Sequence, residues 1–161
     1  MKVVVIGGGW SGVAAAITAK KAGADVSIFE KTDLLLGLGN VGGIMRNNGR
    51  YTASEELIAL GAGDLINLTD KYSRHRNIDF PGHKHASLYD VNLIEGAVRE
   101  YVEDMGIDIF AETRVKDVDF DNGKIKGITT EDWYEILLKD IYEGRTTEEP
   151  LEITVENITS T

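Results

Sequence analysis

"VVVIGGGWSGVAAAITAKKAGADVSIFEK", residues 3–31, sets five glycines in a run rich in alanine and valine and ends on Glu30 and Lys31. Val3 to Ile6 are all β-branched, the composition of a central parallel strand buried on both faces. Gly7, Gly8, Gly9, Trp10, Ser11 and Gly12 follow at once and read G-x-G-x-x-G. From Trp10 to Ala22 the residues favour helix, with small Ala14, Ala15, Ala16 and Ala19 suited to lying close on a sheet. Gly23 is a natural C-terminal stop. Asp25 to Glu30 then resumes a strand through Val26, Ile28 and Phe29.

This is a complete βαβ unit in which each motif glycine has a reason. Gly7 permits the tight turn out of the strand, Gly9 leaves room for a pyrophosphate near the backbone, and Gly12 lets the helix pack on the strand. The helix N-terminus offers free N–H groups and a positive dipole end to phosphates. Glu30, 18 residues past Gly12, stands at the end of the second strand, where a carboxylate accepts hydrogen bonds from an adenosine ribose. The same carboxylate repels a 2′-phosphate, which argues against NADP. A glycine turn with a purely structural purpose is the competing reading; the flanking strand, helix and acid favour a dinucleotide.

The residues here resemble the FAD-dependent oxidoreductases of the glutathione-reductase-like superfamily, the flavoproteins with two dinucleotide-binding domains. Their N-terminal signature is a glycine motif, a helix, a strand ending in Glu and a glycine pair after a short loop. "FEKTDLLLGLGNVGG" supplies Glu30, Lys31, Gly37, Gly39 and the pair Gly42-Gly43, at a somewhat longer spacing than in many members. The resemblance extends to "LYDVNLIEGAVREYVEDMGIDIFAETRVKDVDFDNGKIKGITTED", which looks like the segment where a helix precedes the third parallel strand and a β-meander follows. It implies FAD as cofactor and a Rossmann-like FAD/NAD(P)-binding α/β fold, a parallel sheet with helices and a β-meander crossover. It also implies that the residue entering the meander, Val115, meets the adenine through its backbone. An ordinary hairpin valine is the alternative.

Read from the residues alone, Val91 to Met105 sets Val91, Ile94, Val98, Val102 and Met105 on one helical face, and Gly106 ends the helix. Ile107 to Ala111 and Val115 to Phe120 read as strands. Asn122-Gly123 makes a two-residue hairpin turn, after which Lys124 to Thr129 returns antiparallel.

Several candidate site residues carry two readings each. Arg46, just past the glycine pair, matches phosphate oxygens in a bidentate way or is a solvated loop cation. Lys31 lines the adenosine edge or is simply exposed. His75, His83 and His85 fall in "YSRHRNIDFPGHKHASLYD", which reads as an irregular loop. No cysteine joins them and no carboxylate stands at a ligand spacing, so a loop near the flavin or a subunit contact is preferred to a metal site, and no metal is expected. No residue identifies itself as catalytic. Asn67-Leu68-Thr69 and Asn157-Ile158-Thr159 match the glycosylation acceptor pattern by coincidence, in the absence of a secretory signal.

Composition limits the partners. The chain has 161 residues, no cysteine and a formal net charge of −10, with Lys and Arg unclustered, so nucleic acid is excluded as a primary partner. No stretch approaches a membrane span, and a cytoplasmic protein is the expectation. Residues 1–130 are expected to bind the ADP moiety of FAD, and 131–161 to form a tail that pairs with a partner or adds a third meander strand. Trp133, Leu137 and Ile141 are helically spaced, Tyr134 to Leu138 also fit a strand, and Leu151, Ile153 and Val155 alternate as a strand does. The turn that closes over the flavin, the substrate domain and the late glycine-aspartate motif of the resembled family have no counterpart, so the doubly wound unit reads as incomplete. Three functions compete: a subunit or N-terminal part of an FAD-dependent oxidoreductase, completed by a partner chain, a homo-oligomer or a missing domain; a non-catalytic module binding NAD, FAD or ADP; and an interaction protein that has lost its ligand. Intact Gly7, Gly9, Gly12 and Glu30 argue against the third.

Overall fold

The computed structural model describes residues 1–43, 46–47, 58–59, 63–81, 83–132 and 153–154, with 46–47, 76–77, 80, 83–86, 132 and 153–154 described by backbone alone. Three parallel strands form the central sheet: β1 (Lys2–Ile6), β2 (Asp25–Phe29) and β6 (Asp108–Phe110), in the order β1-β2-β6. Helix α1 (Trp10–Lys21) makes the crossover from β1 to β2, and the register pairs Val3 with Val26 and Val5 with Ile28. A second sheet holds β3 (Arg46–Asn47), β4 (Ser73–Phe80) and β5 (His83–Tyr89) in the order β3-β5-β4. Helix α2 (Asp64–Lys71) comes between β3 and β4 in the chain, and α3 (Val91–Asp104) leads from β5 into β6. The meander is β7 (Thr113–Asp121), β8 (Lys124–Asp132) and β9 (Ile153–Thr154).

Strand alternation decides where the core sits. Val26 and Ile28 of β2 face α1 and α3 and meet Val13, Ala16, Ile94, Val98 and Val102, all of them fully buried. Helix α3 follows the spacing read from the sequence: Ile94, Val98 and Val102 are buried, and Val91 and Met105 pack beside them. Its first turn is capped by Asp90, whose Oδ1 accepts from the Asn92 N–H at 3.0 Å. Lys20 Nζ donates to the Gly106 carbonyl at 2.6 Å and joins the far ends of α1 and α3. At the β7–β8 hairpin, Asn122 (φ 50°) and Gly123 (φ 75°) both take left-handed backbone, the requirement of a type I′ turn.

Four expectations need correction. The strand β1 is covered on one face only: Val3 and Val5 pack on the core, while Val4 is 46% and Ile6 57% exposed. Lys2, Val4 and Ile6 instead line a cleft of about 480 Å³ between the sheet and the β7–β8 hairpin, opposite Ile125 and Ile128. The histidine stretch is not an irregular loop but the antiparallel pair β4–β5, with register shifts between His75 and Ile78 and between Ile78 and Phe80. Its residues have weak strand preference, and the pairing of β4 with β5, which runs as far as Phe80 with His83, overrides that preference. Ala15 faces solvent, so the small-residue contact with the sheet runs through Ala16 and partly through Ala14 and Ala19. The third parallel strand is shorter than expected, Asp108–Phe110, because Ile107 turns into the core.

Ile153–Thr154, inside the alternating C-terminal stretch, pair antiparallel with Thr130 and Thr129. Trp133, Tyr134, Leu137, Leu138, Ile141, Leu151 and Val155 lie outside the described residues. Among the described residues no helix is long and apolar enough to cross a membrane.

Helix α2 is held to its neighbours by an ion pair between Lys21 and Asp64 and by the Tyr101 hydroxyl, which donates to Asp64 Oδ2 at 2.9 Å. The Lys21 hydrogen bond, chief among these influences, keeps the Asp64 carboxyl below the ordinary carboxylate value. A carboxyl whose pKa is lower folded than unfolded contributes stability that is complete above the unfolded value and is lost as pH falls through the folded one. Asp64→Asn is therefore expected to flatten the acid limb of the urea-midpoint profile below pH 4 or so. An acid limb identical to the parent's would show that the pair contributes nothing.

Candidate functional site

The glycine turn sits at the C-terminal end of β1, where the topology also places the ends of β2 and β6. Gly7 leaves the strand with φ +95° and its N–H donates to the Phe29 carbonyl at 2.7 Å. Gly9 is the N-cap of α1 and its carbonyl accepts the first helical bond, from the Val13 N–H at 2.9 Å. No side chain caps this end and no acidic residue lies in its first turn. The positive dipole end thus meets no side-chain acceptor from the N-cap and no carboxylate in the first turn, which suits it to an anion. A Cβ built on Gly9 meets nothing within 4 Å, so the space in front of the turn is open. At Gly12 the opposite holds, since a Cβ would overlap the Gly7 carbonyl oxygen and stand 3.3 Å from Val5 Cγ1. Ser11 is exposed beside it.

Glu30 closes the site from the β2 side and is 6% exposed. Its Oε2 accepts from the Gly8 N–H at 2.6 Å, and its Oε1 accepts from the Thr32 N–H at 2.9 Å and the Thr32 hydroxyl at 3.0 Å. The Glu30 main chain is equally engaged, its N–H donating to the Phe110 carbonyl and its carbonyl accepting from the Thr113 N–H, both at 2.9 Å. Val115 lies two residues along β7 from that bond, half-buried and paired with Thr130. Lys31 is exposed.

The following loop lies behind the turn. Leu35 and Leu36 are fully buried, and the Leu36 N–H donates to the Gly8 carbonyl at 2.8 Å. The Leu35 N–H donates to Glu95 Oε1 at 3.2 Å, and Arg99 spans that carboxylate and the Asp33 carbonyl. Gly39 is buried against the Tyr89 hydroxyl and Trp10 Nε1, while Gly42 and Gly43 are exposed. The Trp10 and Tyr89 rings meet edge to face at 5.2 Å, and burial pushes the Tyr89 phenol up despite a hydrogen bond with the indole. Arg46 pairs through its backbone with Leu88, the neighbour of Tyr89.

The structure thus brings together Gly7, Gly8, Gly9, Trp10, Gly12, Glu30 and Gly39, with Val115 further along β7. Lys31, Gly42 and Gly43 lie on the exposed rim, and the Arg46 side chain is outside the description. His75 is exposed on β4, and the His83 and His85 side chains are likewise outside the description. Among the described residues no three His, Cys, Asp or Glu side chains are grouped as a metal would need. Sequence reasoning gave Gly8 no separate purpose, yet a Cβ there would come within 2.6 Å of Leu35 Cδ2 and 3.2 Å of Glu30 Cβ. It also missed Thr32, whose only signal is a hydroxyl two residues after a strand-end carboxylate, and Tyr89.

Replacing Gly12 with Ala forces a methyl group onto backbone that cannot swing aside, so Gly12→Ala is expected to lower stability by more than about 2 kcal/mol in chemical denaturation. A denaturation midpoint equal to the parent's would show that α1 can shift away from β1.

Residues 2–141 match the family model described as glucose inhibited division protein A. An uncharacterized protein in the nifH2 3′ region of Methanothermococcus thermolithotrophicus is 36% identical over 80 residues, covering 47% of this chain and 72% of that protein. The crystal structure of Thermovibrio ammonificans THI4 superposes with a TM-score of 0.57 at 20% identity, over 95% of this chain and 54% of that one. A geranylgeranyl bacteriochlorophyll reductase-like protein from Thermoplasma acidophilum gives 0.56 at 16% identity, over 81% of this chain and 34% of that one. The chain therefore spans about half and about a third of the lengths of these two structures, and the likeness to them is one of fold. The chain belongs to the glucose inhibited division protein A family, and its cofactor is FAD.

Proposed function

We propose that this chain is the part of an FAD-dependent oxidoreductase that grips the ADP end of the cofactor, in an enzyme whose flavin pocket is completed by a partner chain or a further domain. The observation that carries the reading is the uncapped N-terminus of α1, facing open space at Gly9 beside the buried Glu30 carboxylate. That donor set fits a pyrophosphate next to a ribose: the first-turn N–H groups hold the phosphates, and Glu30 takes the ribose hydroxyls. The Val115 backbone borders the adenine. In this reading Gly42 and Gly43 belong to the cofactor-binding set through the family signature, and Arg46 is assigned to the pyrophosphate. Bound flavin supplies hydride or electron transfer through its ring, and these residues bind and orient it. The finer placement in the glutathione-reductase-like superfamily belongs to this reading and is supported by the order of elements, a βαβ unit followed by α3, β6 and a meander.

Completion by another element is supported at β1. Among the described residues the strand has one neighbour, β2, and Val4 and Ile6 present apolar surface to the cleft. A parallel strand laid along that edge would extend the sheet, and its own side chains would flank Val4 and Ile6 at the open side of the cleft.

Protein purified natively is expected to be yellow, and Gly9→Val is expected to abolish the flavin absorption with the circular dichroism unchanged, because the added side chain fills the space before the turn. Retention of flavin by Gly9→Val would sink the assignment, and a colourless parent protein that binds ADP would favour the non-catalytic module. For the partner, Val4→Lys is expected to leave the melting temperature of the isolated chain within a few degrees, Val4 being half exposed, while removing the larger partner from the native mass spectrum. A complex of unchanged mass would refute docking at this edge.

A further inference from the structure

We propose that Thr32 is a positioning residue for adenosine recognition, pinning one oxygen of Glu30 so that the other is turned toward the ribose hydroxyls. The inference rests on the reading of this turn as the ADP site. A carboxylate offers about four lone-pair positions. In Glu30 two are taken on Oε1, by the Thr32 N–H at 2.9 Å and the Thr32 hydroxyl at 3.0 Å, and one on Oε2, by the Gly8 N–H at 2.6 Å. Among the described residues the second position of Oε2 is unused, and this oxygen lies against the turn that presents the phosphate-binding N–H groups.

Thr32 is itself held in place. Its hydroxyl lies 3.0 Å from both Glu30 Oε1 and the Leu34 carbonyl, which confines it between the two acceptors. The Thr32 carbonyl accepts from the Glu112 N–H at 3.0 Å, fixing the residue to the start of β7. The adjoining loop is tied to α3 through the Leu35 N–H and Arg99. A glutamate side chain has several rotamers, and fixing one when a ligand arrives weakens binding. Here the choice is made beforehand. Gly8 alone leaves the carboxylate free to rotate about its single bond to that N–H, whereas two donors from Thr32 on the opposite oxygen set its plane.

The experiment is isothermal titration of the full chain with ADP and with 2′,3′-dideoxy-ADP, which lacks both ribose hydroxyls. The parent is expected to prefer ADP by about tenfold, hydrogen bonds to an ionised group being strong. Thr32→Val and Thr32→Ala are expected to reduce that preference to about twofold while leaving dideoxy-ADP affinity unchanged, and Thr32→Ser to restore it. Either truncation reads the same ratio, so failure of one to fold leaves the other decisive. A preference untouched in the folded truncations would overturn the role of Thr32 and leave the ADP site standing, as would an equal loss for both nucleotides, the mark of a merely structural loop residue. A parent that binds ADP without preferring it would overturn the ribose contact itself. A parent that binds neither nucleotide would overturn the ADP site and this inference together.

Discussion

The bond from the Gly8 N–H to the Glu30 carboxylate, 2.6 Å long and almost closed to water, is the constraint around which the nucleotide end of this fold is arranged. A buried carboxylate without donors is strongly unfavourable, so its neighbours must supply N–H or O–H groups. Here they come from the glycine turn on one side and Thr32 on the other. The same residue joins β2 to β6 and β7 through its main chain, by its bonds with Phe110 and Thr113. Displacing Glu30 would therefore disturb the turn, the sheet edge and the entry to the meander at once. It also explains why Gly8 must be a glycine: the carboxylate can reach that N–H only if no side chain stands between the turn and Leu35.

Behind this contact is a second layer that fixes the turn from outside. Leu35 and Leu36 fill the space under Gly8, and the Leu36 N–H bonds to the Gly8 carbonyl. Leu36 takes left-handed backbone, φ 68°, which a leucine adopts only under the pressure of its surroundings. Two ties flank it: its own N–H bond to the Gly8 carbonyl, and the hold of Glu95 and Arg99 of α3 on the loop from Asp33 to Leu35. Arg99 pairs with Glu95 one helical turn away and also reaches the Asp33 carbonyl, so the pair works as a bracket for the loop and not as an isolated surface ion pair. Helix α3 thus has two tasks. Its apolar face seals the sheet, and its polar edge holds the loop that supports the nucleotide turn.

Much of this was legible in the sequence where local chemistry leaves no alternative. The βαβ unit follows from β-branched residues, a glycine turn and small helical residues in succession, and α3 follows from Ile94, Val98 and Val102 at helical spacing. The Asn122-Gly123 turn is fixed by the left-handed backbone its type demands. By contrast the β4–β5 hairpin was invisible, because Ser73 to Phe80 contains little that prefers a strand and owes its form to a partner strand that begins at His83. Glycine spacing marked Gly7, Gly9 and Gly12. It set Gly8 in the site without a purpose of its own and was silent on Thr32; the importance of both arises only when the end of β2 folds back against the turn.

The burial of β1 is where composition and structure part, and the disagreement is informative. Val3 to Ile6 are written for a strand covered on both faces, and β2 beside it keeps Phe29 stacked on Phe110 at 4.6 Å on the very face where β1 leaves Val4 and Ile6 half exposed. Phe29 on the middle strand is 3% exposed, between Phe110 of β6 at 38% and Ile6 of β1 at 57%, so this face is closed at its centre and most open along β1. Aliphatic side chains gain free energy in proportion to the area withdrawn from water, so Val4 and Ile6 would gain from a cover such as Phe29 already has. A cover along β1 would lie beside Ile6, the residue that runs into Gly7. It would therefore border the glycine turn directly, at the end of the strand where the proposed nucleotide site begins.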